Sequence, residues 1–209
     1  MVVAPIKRLT PDEYLERERQ ADTKSEFIDG ETIPMAGATA NHNRLSLNLC
    51  RLLPTEIDGS TYELFMSDMR LWLPQYECYT YPDVMAIAGT PQFTDDKQTA
   101  VTNPCFIAKV LPVPPETYDE LAYFRFYRAI PELVEHLLID RTTCRVEHWV
   151  KVKERNWTLT EYVSEEASLM LQSVPLELSL KDLYKRVRFE AIAPHQDDPS
   201  SLSSDPTDK

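Results

Sequence analysis

Two apolar runs between Tyr79 and Leu111 set the terms for what this chain can fold into. Tyr79-Thr-Tyr-Pro-Asp-Val-Met-Ala-Ile-Ala88 and Cys105-Phe-Ile-Ala-Lys-Val-Leu111 read as buried strands joined by a long loop. Each carries a single charge. Asp83 follows Pro82 directly, and Lys109 sits between Ala108 and Val110. A charge inside such a run costs several kcal/mol unless it is paired or binds something. Two of them on neighbouring strands mark a candidate site.

The elements around these strands have recognisable signals. Thr10-Pro11-Asp12-Glu13 is a capping box with proline at the first helical position, predicting a helix to about Ala21. Ser25 to Met35 reads as a hairpin turned at Asp29-Gly30, with Ile33 and Met35 alternating on the return strand. Thr39 or Asn41 can cap the next helix, whose apolar face is Leu45, Leu49, Leu52 and Leu53. A strand from Tyr62 to Leu73 follows, with an irregularity at Ser67-Asp68. Gly89 to Pro104 is a polar connection. Beyond the second buried strand, the prolines of Pro112-Val-Pro-Pro115 forbid helix interior and sheet ladder alike. Thr117-Tyr-Asp-Glu120 is a second capping box, opening a helix with a Leu121, Phe124 and Tyr127 face. Strands at Glu135–Asp140, Arg145–Val152 and Trp157–Val163 read as an antiparallel meander, with Trp149, Trp157 and Tyr162 as sheet packing. A short helix from Leu180 to Val187, capped by Ser179, precedes a tail rich in Pro, Ser and Asp that is expected to be disordered. The fold class is therefore mixed α/β (α+β), one domain over residues 9–190 around a central sheet, followed by an acidic tail, 191–209.

Several function classes drop out. No apolar run approaches the length of a membrane span, and Met-Val-Val-Ala-Pro-Ile-Lys-Arg lacks a signal-peptide core, so a cytoplasmic location is expected. The net charge of −12 disfavours a generic nucleic-acid binder, which usually shows a basic face, while leaving room for a local basic groove. Cys50, Cys78, Cys105 and Cys144 are widely spaced and read as free thiols rather than disulfides or a zinc site. Four glycines leave no phosphate-binding loop, and no nucleophile elbow or zinc-protease motif occurs.

The candidate residues each have a plain reading beside a chemical one. Asp83 is either a carboxylate ligand for Mg²⁺ or Mn²⁺ or a strand-end acceptor of backbone N–H groups. Lys109 is either a phosphate contact or half of an internal salt bridge, with Asp83 the expected partner. His42, at a helix start, is either a base or ligand or a structural histidine. Glu26, just before the hairpin turn, reads as solvated on its own, and Asp29 as turn chemistry. Lys181, Lys185, Arg186 and Arg188 read as a solvated helix face.

In order and spacing, several segments resemble the Uma-two family of bacterial restriction-endonuclease-like proteins. They are Thr10-Pro-Asp-Glu-Tyr-Leu15, Glu26-Phe-Ile-Asp-Gly-Glu31, Met35-Ala-Gly-Ala38 with His42, Ser67-Asp-Met-Arg70, Tyr81-Pro-Asp-Val84, Asn103-Pro104 into the strand to Leu111, and Tyr127-Arg-Ala-Ile-Pro131 into Leu138-Ile-Asp140. The resemblance implies a PD-(D/E)xK nuclease fold, a mixed central sheet flanked by helices, that cleaves DNA with Mg²⁺ or Mn²⁺. It implies catalytic positions at Asp83, Lys109, Glu26 and His42, with Asp83 and Glu26 as metal ligands. A homodimer is an expected assembly.

One strand departs from that pattern. The family typically reads Ile/Val-x-Glu-Val-Leu-Ser-Pro-Ser-Thr where this chain reads Ile107-Ala-Lys-Val-Leu-Pro-Val-Pro-Pro115. Lys109 thus replaces a ligand glutamate. A lysine frequent in the following helix is replaced by Tyr123. The expectation is a metal-dependent endonuclease with impaired or lost activity, or else an inactive homologue acting as a binding or regulatory protein. Lys109 is expected to take the metal's place and pair with Asp83. Glu116 or Glu120 offers a substitute ligand from beyond the strand.

Overall fold

In the computed structural model, residues 8–35, 37–111 and 120–189 are described, without the side chains of 120–122. The proline run, the start of the second capping box, Glu116 and the C-terminal tail lie outside them, as does the side chain of Glu120.

Helix α1 (Pro11–Glu18) starts on the expected capping box: Thr10 accepts from the Glu13 N–H, and Glu13 reaches back to Thr10. Strands β1 (Ser25–Ile28) and β2 (Glu31–Pro34) form the hairpin, with Asp29 and Gly30 both at positive φ as its turn requires. Its return strand is exposed throughout, Ile33 included, because it is the edge of its sheet. Thr39 caps helix α2 (Ala40–Leu52). Strands β3 (Glu56–Ile57) and β4 (Ser60–Met66) follow, then β5 (Arg70–Leu73), β6 (Cys78–Thr80), β7 (Val84–Ala88), β8 (Ala100–Val101) and β9 (Phe106–Val110). After helix α3 (Glu120–Tyr127) come β10 (Glu135–Ile139), β11 (Arg145–Lys153), β12 (Asn156–Val163), β13 (Ser168–Met170), β14 (Glu177–Ser179) and α4 (Leu180–Leu183).

Two of the expected strands are each split between sheets. The run from Tyr62 to Leu73 breaks at Ser67, which adopts a left-handed conformation with φ of 42°, so β4 and β5 join different sheets. The run from Tyr79 to Ala88 breaks at Tyr81-Pro82-Asp83. Pro82 has no N–H to give a ladder, and the chain passes there from the five-stranded sheet, order β2-β1-β6-β5-β8, to the seven-stranded sheet, order β12-β11-β10-β9-β7-β4-β3. Strand β8, in the stretch read as a plain connection, pairs parallel with β5. The final helix is four residues long, and Ser179 makes no cap bond.

The seven-stranded sheet is covered on both faces, which is why β9 and β10 are buried at every position. Val84, Ala86, Phe106, Ala108, Leu137 and Ile139 pack with Leu45, Leu49 and Leu53 from α2 and its end. Met85, Ile87 and Ile107 pack with Phe126, Tyr127 and Ile130 from α3 and beyond, and with Leu71, Leu73 and Cys78 of the smaller sheet. The expected meander holds: β10, β11 and β12 are antiparallel neighbours, while β10 pairs parallel with β9. Trp149 and Trp157 pack around Phe124, with ring centres 4.5 and 5.2 Å away. All four cysteines are free thiols. Among the described residues no helix is long and apolar enough to cross a membrane.

Candidate functional site

The passage between the two sheets is where the candidate residues meet. The Asp83 main chain is held on both sides, its N–H donating to the Ala108 carbonyl (3.1 Å) and its carbonyl accepting from the Ser67 N–H (3.2 Å). That grip turns the side chain toward the end of β9 and the start of α2. One Asp83 oxygen accepts from the Val110 N–H at 2.7 Å, and the other meets His42 Nε2 at 3.0 Å. His42 occupies the first turn of α2, where Thr39 fixes its backbone; its Nδ1 is buried without a hydrogen-bond partner among the described residues.

Glu26 is not solvated. It lies on β1 at 5% exposure, facing the same passage. Its Oε1 accepts from the Tyr81 N–H (3.3 Å), and its Oε2 accepts from the Tyr123 hydroxyl (2.6 Å). Lys109 rises from β9 between these groups, 8% exposed. Its Nζ donates to the Tyr81 carbonyl at 3.0 Å and lies 3.9 Å from Glu26 Oε1. The ion pair of Lys109 is therefore with Glu26. Asp83, the partner expected from the strand pattern, is taken by His42 and the Val110 N–H. Asp29, by contrast, is an exposed turn residue paired with Arg8.

Burial would push the Asp83 carboxyl up. The His42 hydrogen bond, the Lys109 ammonium and the Val110 N–H outweigh it and hold the group below the ordinary aspartate value. The Tyr123 phenol is pushed well above its ordinary value by burial and by Glu26, which keeps its proton on the bond to that carboxylate. Tyr123 thus joins the cluster as a hydrogen-bond donor to Glu26, a contact the sequence did not suggest.

Beneath the site lies His136, on β10 and 1% exposed, stacked on Phe124 with ring centres 5.7 Å apart. Neither ring nitrogen has a hydrogen-bond partner among the described residues. Burial, with Lys109 adding to it, drives its pKa down to about 3. In the unfolded chain the group titrates near about 6.5. Between those values the unfolded state holds a proton that the folded state refuses, so stability falls as pH drops through this window, by at most about 1.4 kcal/mol per pH unit. The stability contributed by Asp83 is lost only below about pH 4, under its unfolded value. His136→Phe should therefore flatten the decline in urea midpoint between pH 6 and 4; an unchanged slope in the variant would sink this assignment.

A second buried polar cluster carried no sequence signal beyond charge in an apolar strand. Glu135, fully buried, accepts from the Gln172 and Ser173 N–H groups and the Ser173 hydroxyl, and meets His148 Nε2 at 2.7 Å. Every oxygen is used in tying the 172–173 backbone to the sheet, so the cluster is a fastening.

Do the residues of the first cluster fit a divalent cation? Mg²⁺ and Mn²⁺ need carboxylate oxygens with open lone pairs and net negative charge. Here the Asp83 and Glu26 oxygens are engaged by N–H and O–H donors, and an ammonium stands beside Glu26. Among the described residues no group of three His, Cys, Asp or Glu side chains is placed to hold a metal. The donor set does not fit.

Comparison with known proteins agrees with the architecture. A family model described as Uma2, putative restriction endonuclease, matches residues 11–182. The uncharacterized protein sll1609 of Synechocystis sp. is 58% identical over 169 residues, covering 81% of this chain and 96% of that one. A second Synechocystis protein, the uncharacterized slr1290, is 31% identical over 187 residues, covering 89% and 96%. A crystal structure of a putative nuclease belonging to DUF820 from Anabaena variabilis superimposes with a TM-score of 0.63 at 17% identity, over 84% of this chain and 97% of that one. With the candidate site at the junction of its five- and seven-stranded sheets, this chain belongs to the Uma2 family of restriction-endonuclease-like proteins and has their mixed α+β nuclease fold.

Proposed function

We propose that this chain is a nuclease-fold protein in which metal-dependent cleavage of DNA has been lost, leaving nucleic-acid binding as its activity. One observation carries the reading: Lys109, standing where the resemblance places a ligand glutamate, makes its ion pair with Glu26 and bonds the Tyr81 carbonyl. Replacing a carboxylate by an ammonium changes the local charge by two units. At about 4 Å and an effective dielectric near 20, each unit opposes a cation's charge by about 4 kcal/mol per unit charge. Tyr123 compounds the change, since a phenol bound to Glu26 supplies no positive charge to a phosphate. The two carboxylates remain but serve an internal network: Asp83 holds His42 and Glu26 holds Tyr123 and Lys109.

The test is incubation of the pure protein with supercoiled plasmid and Mg²⁺ or Mn²⁺. No cleavage above a no-protein control is expected. Cleavage that disappears in Asp83→Ala would overturn the reading and restore the metal-dependent endonuclease in its place.

A further inference from the structure

The chain's overall charge of −12 would repel a polyanion, yet the guanidiniums of Arg44 and Arg141 and the main chain of Arg188 meet at the turn that carries His42. Asn41 gathers them. Its Nδ2 donates to the Arg188 carbonyl at 2.7 Å and to the Arg141 carbonyl at 3.4 Å. Its Oδ1 accepts from Arg44 Nη1 at 3.0 Å and from the Arg188 N–H at 3.2 Å. Arg141 Nη1 in turn donates to Thr39 Oγ1 at 3.2 Å. Residues more than a hundred positions apart in sequence are thus tied to one turn, and His42, the next residue after Asn41, holds Asp83. Arg188, read from sequence as part of a solvated helix face, lies beyond α4 and is clamped here by its main chain.

Arg8, Arg19 and Arg145 each hold a carboxylate, whereas other arginines, Arg51 and Arg70 among them, hold none among the described residues. Arg44, Arg141 and Arg188 hold none among the described residues, though acidic side chains outnumber basic ones 34 to 22 in the chain. Two of the three are half-buried and fixed by a hydrogen bond to a neutral side chain, the third exposed. Guanidiniums fixed this way keep donors free for an anion, and their fork matches phosphate oxygens.

We propose that Arg44, Arg141 and Arg188, gathered around Asn41, are the contact through which this chain holds the phosphodiester backbone of a nucleic acid. The assignment rests on the nucleic-acid reading above. It requires no metal, because the contact is ionic and lies outside the Asp83–Lys109 network. Backbone contacts of this kind fix position without reading sequence.

The experiment is a fluorescence-anisotropy titration of a labelled 20-base-pair duplex with the full chain, in chelator, across a salt series. The wild type should bind at low salt. The triple variant Arg44→Gln/Arg141→Gln/Arg188→Gln should bind at least about tenfold more weakly and lose about 2.7 from the log–log salt slope, about 0.9 for each phosphate contact removed. Arg188→Gln alone, whose side chain makes no bond among the described residues, should lose about 0.9 and guards against a folding defect. A control removing equal charge from exposed positions, Lys97→Gln/Lys153→Gln/Arg155→Gln, should keep most of the affinity. An undiminished triple variant, or equal weakening by the control, overturns the arginine contact. Absence of any wild-type binding overturns the nucleic-acid reading beneath it, and equal affinity for poly-glutamate overturns the choice of ligand. Cleavage with Mn²⁺ would bear on the lost metal site and leave this titration unaffected.

Discussion

Lys109→Glu should bind Mn²⁺ where the natural chain does not. The substitution returns a carboxylate to β9 beside Asp83 and Glu26 and removes the ammonium now 3.9 Å from Glu26 Oε1. One charge unit at such distances, about 4 kcal/mol for an effective dielectric near 20, already predicts a gain of about a thousandfold in affinity, and the second unit adds to it. Calorimetry should show saturable heat for the variant and none for the wild type. A second signature is independent of heat. Without metal, three carboxylates share a nearly dry space and repel, so the variant should melt below the wild type in chelator. Added Mn²⁺ should recover that loss, because a ligand of the folded state alone stabilises it by mass action. The wild type should melt alike with and without Mn²⁺. Cleavage is a separate matter: the phenol of Tyr123 still occupies Glu26 Oε2, so Lys109→Glu/Tyr123→Lys is the variant expected to nick plasmid. Micromolar Mn²⁺ binding by the wild type, or no gain in Lys109→Glu, would show that Lys109 does not stand in the metal's place.

How much of this could be read from residues alone depended on the kind of signal. Capping boxes and turn chemistry are local, and the first helix and the Asp29-Gly30 turn formed where their signals stood. The sheet to which a strand belongs is not local. Tyr62–Leu73 and Tyr79–Ala88 each read as one apolar run, and each contributes to two sheets, because hydrophobic periodicity is indifferent to which partner covers it. Pro82 was the visible mark of the second crossing, and Ser67-Asp68 of the first. The same limit explains Glu26. A glutamate before a hairpin turn looks solvated in isolation, and its burial comes from Tyr81, Lys109 and Tyr123, which lie 55 to 97 positions away. His136 and Glu135 carried the same anomaly as Lys109, a titratable group in a fully buried strand, and nothing local separates one that lies under a site from one that fastens a loop.

Within the site, each charge is compensated by a neighbour. Lys109 on the strand neutralises Glu26, and the helix offers a neutral hydroxyl to the same carboxylate. A lysine on α3 in place of Tyr123 would leave β9 free to present an acid. Lys109 and Tyr123 together therefore keep Glu26 satisfied, with the cation on the strand and the neutral donor on the helix.

Which carboxylate Lys109 depends on can be measured. Glu26→Gln removes the charge facing the ammonium and leaves Lys109 nearly buried with the Tyr81 carbonyl as its hydrogen-bond acceptor. Stripping one partner from a buried pair costs about 3–5 kcal/mol. Lys109→Met should cost less, since Glu26 keeps the Tyr123 hydroxyl and the Tyr81 N–H. In Glu26→Gln/Lys109→Met both charges are gone and the volumes nearly kept, and such replacements are often neutral or stabilising. The double variant should thus unfold within about 1 kcal/mol of the wild type, far from the sum of the singles, and neighbours in one network typically couple by about 0.5–3 kcal/mol. The parallel cycle with Asp83→Asn is the comparison that matters. Asp83 feels Lys109 through space, but its oxygens are committed to His42 and the Val110 N–H, so its coupling to Lys109 should be the smaller of the two. Urea unfolding of the five variants and the wild type yields both couplings. A larger coupling to Asp83 than to Glu26 would return Lys109 to the partner its strand position first suggested.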